Sequence, residues 1–440
     1  MAKALALKGS KRLLHAWAFY DWANSVYSLT VVSAIFPLYL GALFRLEGVE
    51  EVAFLGGSIA RTPLISYVTA AAFVVIAIIT PLLSGIADYL GNKKVFMKFF
   101  CYLGGVACMG LYWFTLDNLL WGLFFYFLGV IGFWVSYAMN NSYLPDIAFP
   151  EQQDRVSARG FSLGYIGSVI LLLLNLSMVL NPGLFGIADH PEQPAAILAM
   201  KYSFVSVGIW WIAFSQYSFY YLPKGNRREG ARSHIIFNGF RELRSVWQQL
   251  KHTRALKRYL GAFFVYSMAV QTVMLIAAYF GESEIAWGSD DERTLGLIGS
   301  ILIIQLVAVL GATLTAKASR AYGNIRTLVV INFLWVLICI YAFFVRQPVE
   351  FYVAAACVGM VMGGIQALSR STYSKMLPET QDTTSFFSFY DVAEKIGIVI
   401  GMSIFALVSQ WNNSMRPAAL MLGVFFLLGI FLLLRVREQK

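Results

Sequence analysis

Apolar runs of about 20 residues recur from one end of this chain to the other, each long enough as a helix to cross a hydrocarbon core about 30 Å thick. The chain is 58% hydrophobic and only 13% charged, where a soluble domain carries about 25% charged residues, so water is not its main solvent. In lipid the backbone can satisfy its own polar groups only as helices or as a closed barrel. The runs are continuous and lack the alternation that barrel strands require, which leaves an all-α membrane protein.

Twelve spans are expected, near residues 14–44, 64–90, 94–115, 119–143, 159–181, 199–222, 257–281, 294–318, 326–346, 350–375, 384–411 and 416–436. The run after Lys11 and Arg12 continues far past the short apolar core of a signal peptide and carries Asp21 and Asn24, so the first span should remain in place. About 27 of the 34 Lys and Arg fall on the side that holds both termini, against 6 on the other (Arg45, Arg61, Lys201, Arg293, Arg346 and Arg416). By the positive-inside rule both termini are expected in the cytoplasm, with the spans in the cell's inner (plasma) membrane. The net charge of +10 then follows from topology and anionic lipid and gives no reason to expect a nucleic-acid partner.

Several chemistries lose their sequence basis. Cys101, Cys108, Cys339 and Cys357 all sit in apolar runs with neither CxxC spacing nor a neighbouring His, which suits packing residues. His15, His190, His234 and His252 are scattered, and no Walker loop, dinucleotide fingerprint or HExxH occurs. No cofactor, metal or enzymatic activity is expected, and the protein should work as a monomer in the bilayer.

The longest connection on the terminal side, 223–256, divides the chain into an expected first bundle, 1–222, and a second, 257–440. Within it Ile236, Phe240, Leu243, Trp247 and Leu250 recur at spacings of three and four among Arg241, Arg244, Lys251 and Arg254, the pattern of an amphipathic helix along the inner membrane surface. The two halves repeat. Gly85-x-x-Asp88-x-x-Gly91-Asn92-Lys93-Lys94 after span 2 is echoed by Arg320-x-x-Gly323-Asn324-x-Arg326 after span 8, with Gly91 and Gly323 standing 232 residues apart. Pro145 and Pro378, after spans 4 and 10, are 233 apart. A shared offset is what duplicated six-helix halves produce.

The segment from Gly85 to Lys94 resembles the signature that major facilitator transporters carry between their second and third helices, departing from it at Tyr89. The likeness implies a fold of two pseudo-symmetric six-helix bundles and a cytoplasmic gate with Asp88 at its centre, formed by Gly85, Gly91, Lys93, Lys94, Arg320, Gly323 and Arg326. Three further stretches narrow it: Tyr20-Asp21-Trp22-Ala23-Asn24-Ser25, Gly363-Gly364-Ile365-Gln366-Ala367-Leu368-Ser369-Arg370-Ser371, and Phe386-Phe387 followed by Tyr390-Asp391 and Lys395. Together they resemble the vacuole-effluxer-like branch, whose fungal members imply amino-acid export and whose bacterial members imply solute transport.

Polar residues inside the spans are the candidate site. Asp21, Asn24, Ser25 and Ser28 align on one face of the first helix. One central aspartate in lipid costs about 2.5–3.5 kcal/mol, so this face should meet a wet cavity or a partner. Gln366, Ser369, Arg370 and Tyr373 repeat the spacing in span 10, where Arg370 can bind an anionic group, pair with a carboxylate or snorkel. In span 11, Asp391 and Lys395 are spaced to pair, while Glu394 projects on the other side of Asp391 from Lys395, leaving a surplus negative charge for which Arg370 is a plausible counter-ion. Asp21, Asp391, Glu394 and Lys395 are therefore candidates for proton or sodium coupling, or else a static charge network. Asn140, Asn141, Tyr165, Gln271 and, more weakly, Asn175 and Gln305 are further cavity candidates or interhelical glue.

The leading expectation is a secondary transporter of a small polar solute, an amino acid by family likeness, exported by alternating access. A flippase for a lipid- or glycan-linked amphiphile and a non-transporting sensor with the same fold are the alternatives.

Overall fold

The computed structural model describes residues 7–436 apart from residues 55, 190–193, 225–234 and 413, and apart from the side chains of residues 62, 235, 236, 290 and 291. Ile236, on the expected apolar face of the linker, therefore lies outside the described side chains. Among the described residues twelve helices are long and apolar enough to cross a membrane: Lys11–Leu46, Pro63–Leu90, Lys93–Trp113, Leu119–Ile147, Pro150–Leu180, Ala195–Tyr221, Arg254–Glu284, Glu292–Tyr322, Asn324–Phe344, Pro348–Lys375, Thr383–Asn412 and Met415–Leu433. They are numbered spans 1 to 12 below. With twelve such helices among the described residues, the start of span 1 and the end of span 12 fall on one face, called here the terminal face.

The span ends have local causes. Spans 5 and 10 open on Pro150 and Pro348, whose missing N–H would be unpaired in the first turn anyway. Span 2 stops at Gly91, which takes the left-handed φ of 60° that a side chain disfavours, and Gly323 turns between spans 8 and 9 at φ 87°. Span 5 begins nine residues earlier than its apolar run, because Pro150 to Ala158 forms two amphipathic turns that pack polar groups inward.

Two departures from uninterrupted helix are notable. An antiparallel hairpin, Glu51–Phe54 paired with Gly57–Ala60, sits between spans 1 and 2 on the face opposite the termini, so the fold is not purely helical. Span 1 widens into a π-helix over Tyr27–Ile35, one turn beyond Asn24 and Ser25. There Ser33 Oγ donates to the Ser28 carbonyl five residues back, at 2.9 Å. Such widened turns reposition side chains and are frequent at functional sites.

Glycines set how closely the helices pack. A methyl group on Gly359 or Gly363 of span 10 would come within 2.5 Å or 2.2 Å of the Ile304 or Ala308 carbonyl of span 8. Without a hydrophobic drive between helices in lipid, such backbone-to-backbone contact supplies the packing energy. Between the halves, span 5 lies against spans 8 and 10, and span 2 lies against span 11.

The linker helix, Ile235–His252, docks on spans 2, 7 and 11. Its apolar residues do not form one buried stripe: Val246 and Leu250 point inward, whereas Phe237, Phe240 and Trp247 remain exposed.

Candidate functional site

At the interface between the halves, Arg370 of span 10 is 1% exposed and fully engaged. Its Nε donates to Ser157 Oγ at 3.0 Å, and its Nη2 donates to the Ser157 carbonyl at 3.0 Å and to Asp21 Oδ2 at 3.2 Å. Nη1 donates to Asn141 Oδ1 at 2.9 Å and to Asp21 Oδ2 and Tyr137 Oη at 3.3 Å each. The guanidinium carbon lies over the rings of Trp17 and Phe161, 4.6 and 4.3 Å from their centroids. Spans 1, 4 and 5 of the first half thus converge on one side chain of the second. The spacing is permitted by Gly160, opposite Asp21 and Arg370, and by Gly164, opposite Ser25.

A second cluster lies deeper along span 11. Lys395 Nζ is 2.5 Å from Glu394 Oε2 and 3.2 Å from Asp391 Oδ1, and it sits 3.4 Å from the centroid of Trp134 in span 4. Glu394 Oε1 accepts from Gln271 Nε2 of span 7 at 2.7 Å. Between the clusters, Tyr165 Oη donates to Gln366 Oε1 at 2.7 Å, again across the two halves.

Two junctions join the halves near the terminal face. Asp88, buried at the end of span 2, accepts the backbone N–H groups of Thr384 at 3.3 Å and Ser385 at 2.6 Å. A carboxylate there satisfies orphan donors of the first turn of span 11 and meets the positive end of that helix. Beside it Lys93 Nζ joins Asp146 at 2.6 Å, the Ser142 carbonyl at 2.8 Å and Thr383 Oγ1 at 2.9 Å. The other junction joins the start of span 5 to spans 8, 9 and 10, with the acid again supplied by the first half. Asp154, at the start of span 5, accepts from Lys375 Nζ at 2.6 Å, Asn324 Nδ2 at 2.9 Å and Ser319 Oγ at 3.1 Å.

Several expectations need correction. Arg370 is not the counter-ion of the span 11 acids, because its donors are taken by Asp21, Asn141, Tyr137 and Ser157. Glu394 does not point away from Lys395, since the flexible lysine stem bends to reach both acids. Tyr373 does not face a cavity: it is fully buried and donates to the Phe386 carbonyl of its own half at 2.6 Å. Lys94 donates to the Leu222 carbonyl at the end of span 6, inside the first half. Arg320 and Arg326 are exposed, and their neighbours Ser319 and Asn324 reach Asp154 instead. Gly85 serves no turn; a methyl there would come 2.4 Å from the Gly239 carbonyl of the linker helix. Tyr89, the departure from the signature, accepts from Asn238 Nδ2 of the same helix at 2.9 Å.

Asn24 is buried with Nδ2 unpartnered, its Oδ1 accepting a long bond from Ser25 Oγ at 3.5 Å, and both side-chain atoms of Asn140 are buried without partners. Asn175 accepts from Ser206 at 2.9 Å within the first half. The sequence reading missed Trp134, Tyr137, Asp154, Ser157, Phe161 and Lys375. An acid four residues past a helix-opening proline was the one usable signal, for Asp154.

Comparison with known proteins decides the family. The model described as "Vacuole effluxer Atg22 like" matches residues 9–440. The chain belongs to the Atg22-like vacuole effluxer family. It is 30% identical over 435 residues to the uncharacterized MFS-type transporter YxiO of Bacillus subtilis, covering 97% of this chain and 95% of that protein. Autophagy-related protein 22 of Kluyveromyces lactis is 24% identical over 485 residues, covering 96% of this chain and 92% of its own. The fold is that of the major facilitator superfamily. The fucose:proton symporter FucP in its outward conformation superposes with a TM-score of 0.70 at 13% identity, covering 97% of this chain and 99% of that one. The proton:xylose symporter XylE gives 0.68 at 13% identity, covering 98% and 96%. This Atg22-like chain is a multi-pass membrane transporter, not an enzyme.

Proposed function

We propose that the protein is a secondary active transporter that moves a small polar solute, of amino-acid size and polarity, outward by alternating access. The bodies that rock are taken as residues 1–222 and 257–440, joined by the linker. One observation carries the reading: the interbundle bonds of Asp88, Lys93, Asp154, Arg370 and Gln366 gather between the terminal face and the span middles. An interface latched at one end is the geometry of a molecule closed on that side. With about 27 Lys and Arg on the terminal side, that side is read as cytoplasmic and the described state as open toward the exterior.

The driving ion is read as a proton. Asp391 and Glu394 face a single cation, Lys395, and Asp391 Oδ2 is buried without a partner. The two acids outnumber the one cation, and a bound proton is what would balance the remaining charge. A flux screen tests the whole reading: purified protein in vesicles, radiolabelled amino acids and other small polar solutes, with and without an imposed proton or sodium gradient. Concentrative movement driven by a proton gradient supports it. No solute moving under either gradient would overturn it.

A further inference from the structure

The surroundings of the Lys395 ammonium have the form of an amine-binding cage. One wall is the face of Trp134, 3.4 Å away at its centroid, and two carboxylates, Glu394 at 2.5 Å and Asp391 at 3.2 Å, flank the charge. Gln271 of span 7 holds Glu394 in place through its Oε1 at 2.7 Å. An indole face with carboxylates beside it is the combination that recognises organic ammonium groups. The cage is also under-neutralised. Its two acids carry one negative charge more than Lys395 neutralises, and Asp391 Oδ2 is buried with no hydrogen-bond partner. Lys395 is 1% exposed, whereas Glu394 is 14% exposed and is the more accessible of the pair.

We infer that this cage is the site for the substrate's amino group, and that Lys395 is a tethered occupant which gives way to it. The inference rests on the transport reading and narrows it to solutes bearing a primary amine. A lysine carries three donors on a flexible four-carbon stem, so exchange needs no backbone movement. When the solute leaves, return of Lys395 prevents the two carboxylates from standing uncompensated. Arg370 takes no part while the terminal face is closed, because each of its nitrogens already donates to protein.

The experiment compares phenethylammonium, 2-phenylethanol and 3-phenylpropanoate as probes of the full chain in lipid nanodiscs, read by titration calorimetry. Phenethylammonium should bind at least tenfold tighter than the neutral and anionic probes, at least tenfold tighter again to Lys395→Met, and at least tenfold weaker to Trp134→Leu. Equal binding of the three probes, no gain in Lys395→Met, or no loss in Trp134→Leu would each overturn the assignment. If Lys395→Met does not fold, Glu394→Gln replaces it and must weaken phenethylammonium tenfold while leaving 2-phenylethanol unchanged; equal weakening of both would refute the cage. Amine selectivity without solute flux supports the cage and counts against transport, and flux without amine selectivity does the reverse.

Discussion

Gly160 and Arg370 face each other so closely across the bundle interface that a methyl group on the glycine would lie 3.0 Å from Arg370 Nη2 and 2.4 Å from Asp21 Oδ2. Neither ion can move away easily, since Arg370 is also fixed by Asn141 and Ser157. Gly160→Ala should therefore act on the closed interface as overpacking does in a core, at a cost of about 1–3 kcal/mol. The expected result is normal membrane insertion with a lower melting temperature and at least tenfold slower transport. A variant with wild-type melting and flux would show that the two halves are not clamped at this point.

The Asp88 junction gives a prediction about access. Asp88→Asn keeps the shape but weakens the charge-assisted bonds to the Thr384 and Ser385 amides, worth about 1–2 kcal/mol of the closed state. Ser142 is buried beside this seam, with Thr384 Oγ1 3.4 Å across it. In a background without the native cysteines, Ser142→Cys should react with a membrane-impermeant maleimide roughly 5–30 times faster when Asp88→Asn is added. Unchanged labelling would argue that Asp88 is a solvated turn residue.

What the sequence revealed and what it hid differ for physical reasons. Spans are legible because crossing a bilayer demands a long apolar run, and the duplicated landmarks Gly91 and Gly323 exposed the two halves. Asp154 escaped because Pro150 to Ala158 is polar enough to read as a loop, although a packed partner surface makes it helix. Trp134, Tyr137 and Phe161 escaped because an aromatic residue in an apolar run looks the same whether it lines a core or covers a cation. Asp21 and Arg370 were each visible as an anomaly in lipid, yet their pairing is 349 residues long in sequence and no local spacing reports it.

The second junction should couple energetically to itself alone. Asp154 and Lys375 are 2.6 Å apart and share Asn324, whose Nδ2 donates to the acid and whose Oδ1 accepts from the lysine at 3.2 Å. A double-mutant cycle of Asp154→Asn and Lys375→Met, read by thermal unfolding in detergent, should give an interaction term of about 0.5–3 kcal/mol. Strict additivity would mean that the pair does not latch the halves.

Coupling and binding meet at Glu394 and are told apart by the readout. If the surplus carboxylate of span 11 carries the proton, Glu394→Gln should still exchange labelled for unlabelled solute at saturating concentration, with a weakened affinity, while losing accumulation under an imposed proton gradient by at least tenfold. Asp391→Asn, deeper and bonded to Lys395, should reduce exchange as well. Concentrative transport surviving in both variants would place the proton elsewhere.

The linker helix yields the last prediction. Its Gly239 sits on Gly85 of span 2 with the carbonyl of one against the Cα of the other, and Asn238 bonds Tyr89 one turn away. Both glycines lack the side chain that would separate the helices, so the docking is set by shape as much as by the burial of Val246 and Leu250. Gly85→Val places branched carbons where only 2.4 Å is free before the Gly239 carbonyl, and the helix must lift. Phe237, 77% exposed, with Phe240 and Trp247 also exposed, would keep the lifted helix on the membrane surface. Amide exchange across Ile235–His252 should then accelerate at least tenfold while spans 8 to 10 keep their protection. Equal acceleration throughout the second half would show that the glycine contact supports the whole bundle rather than the linker.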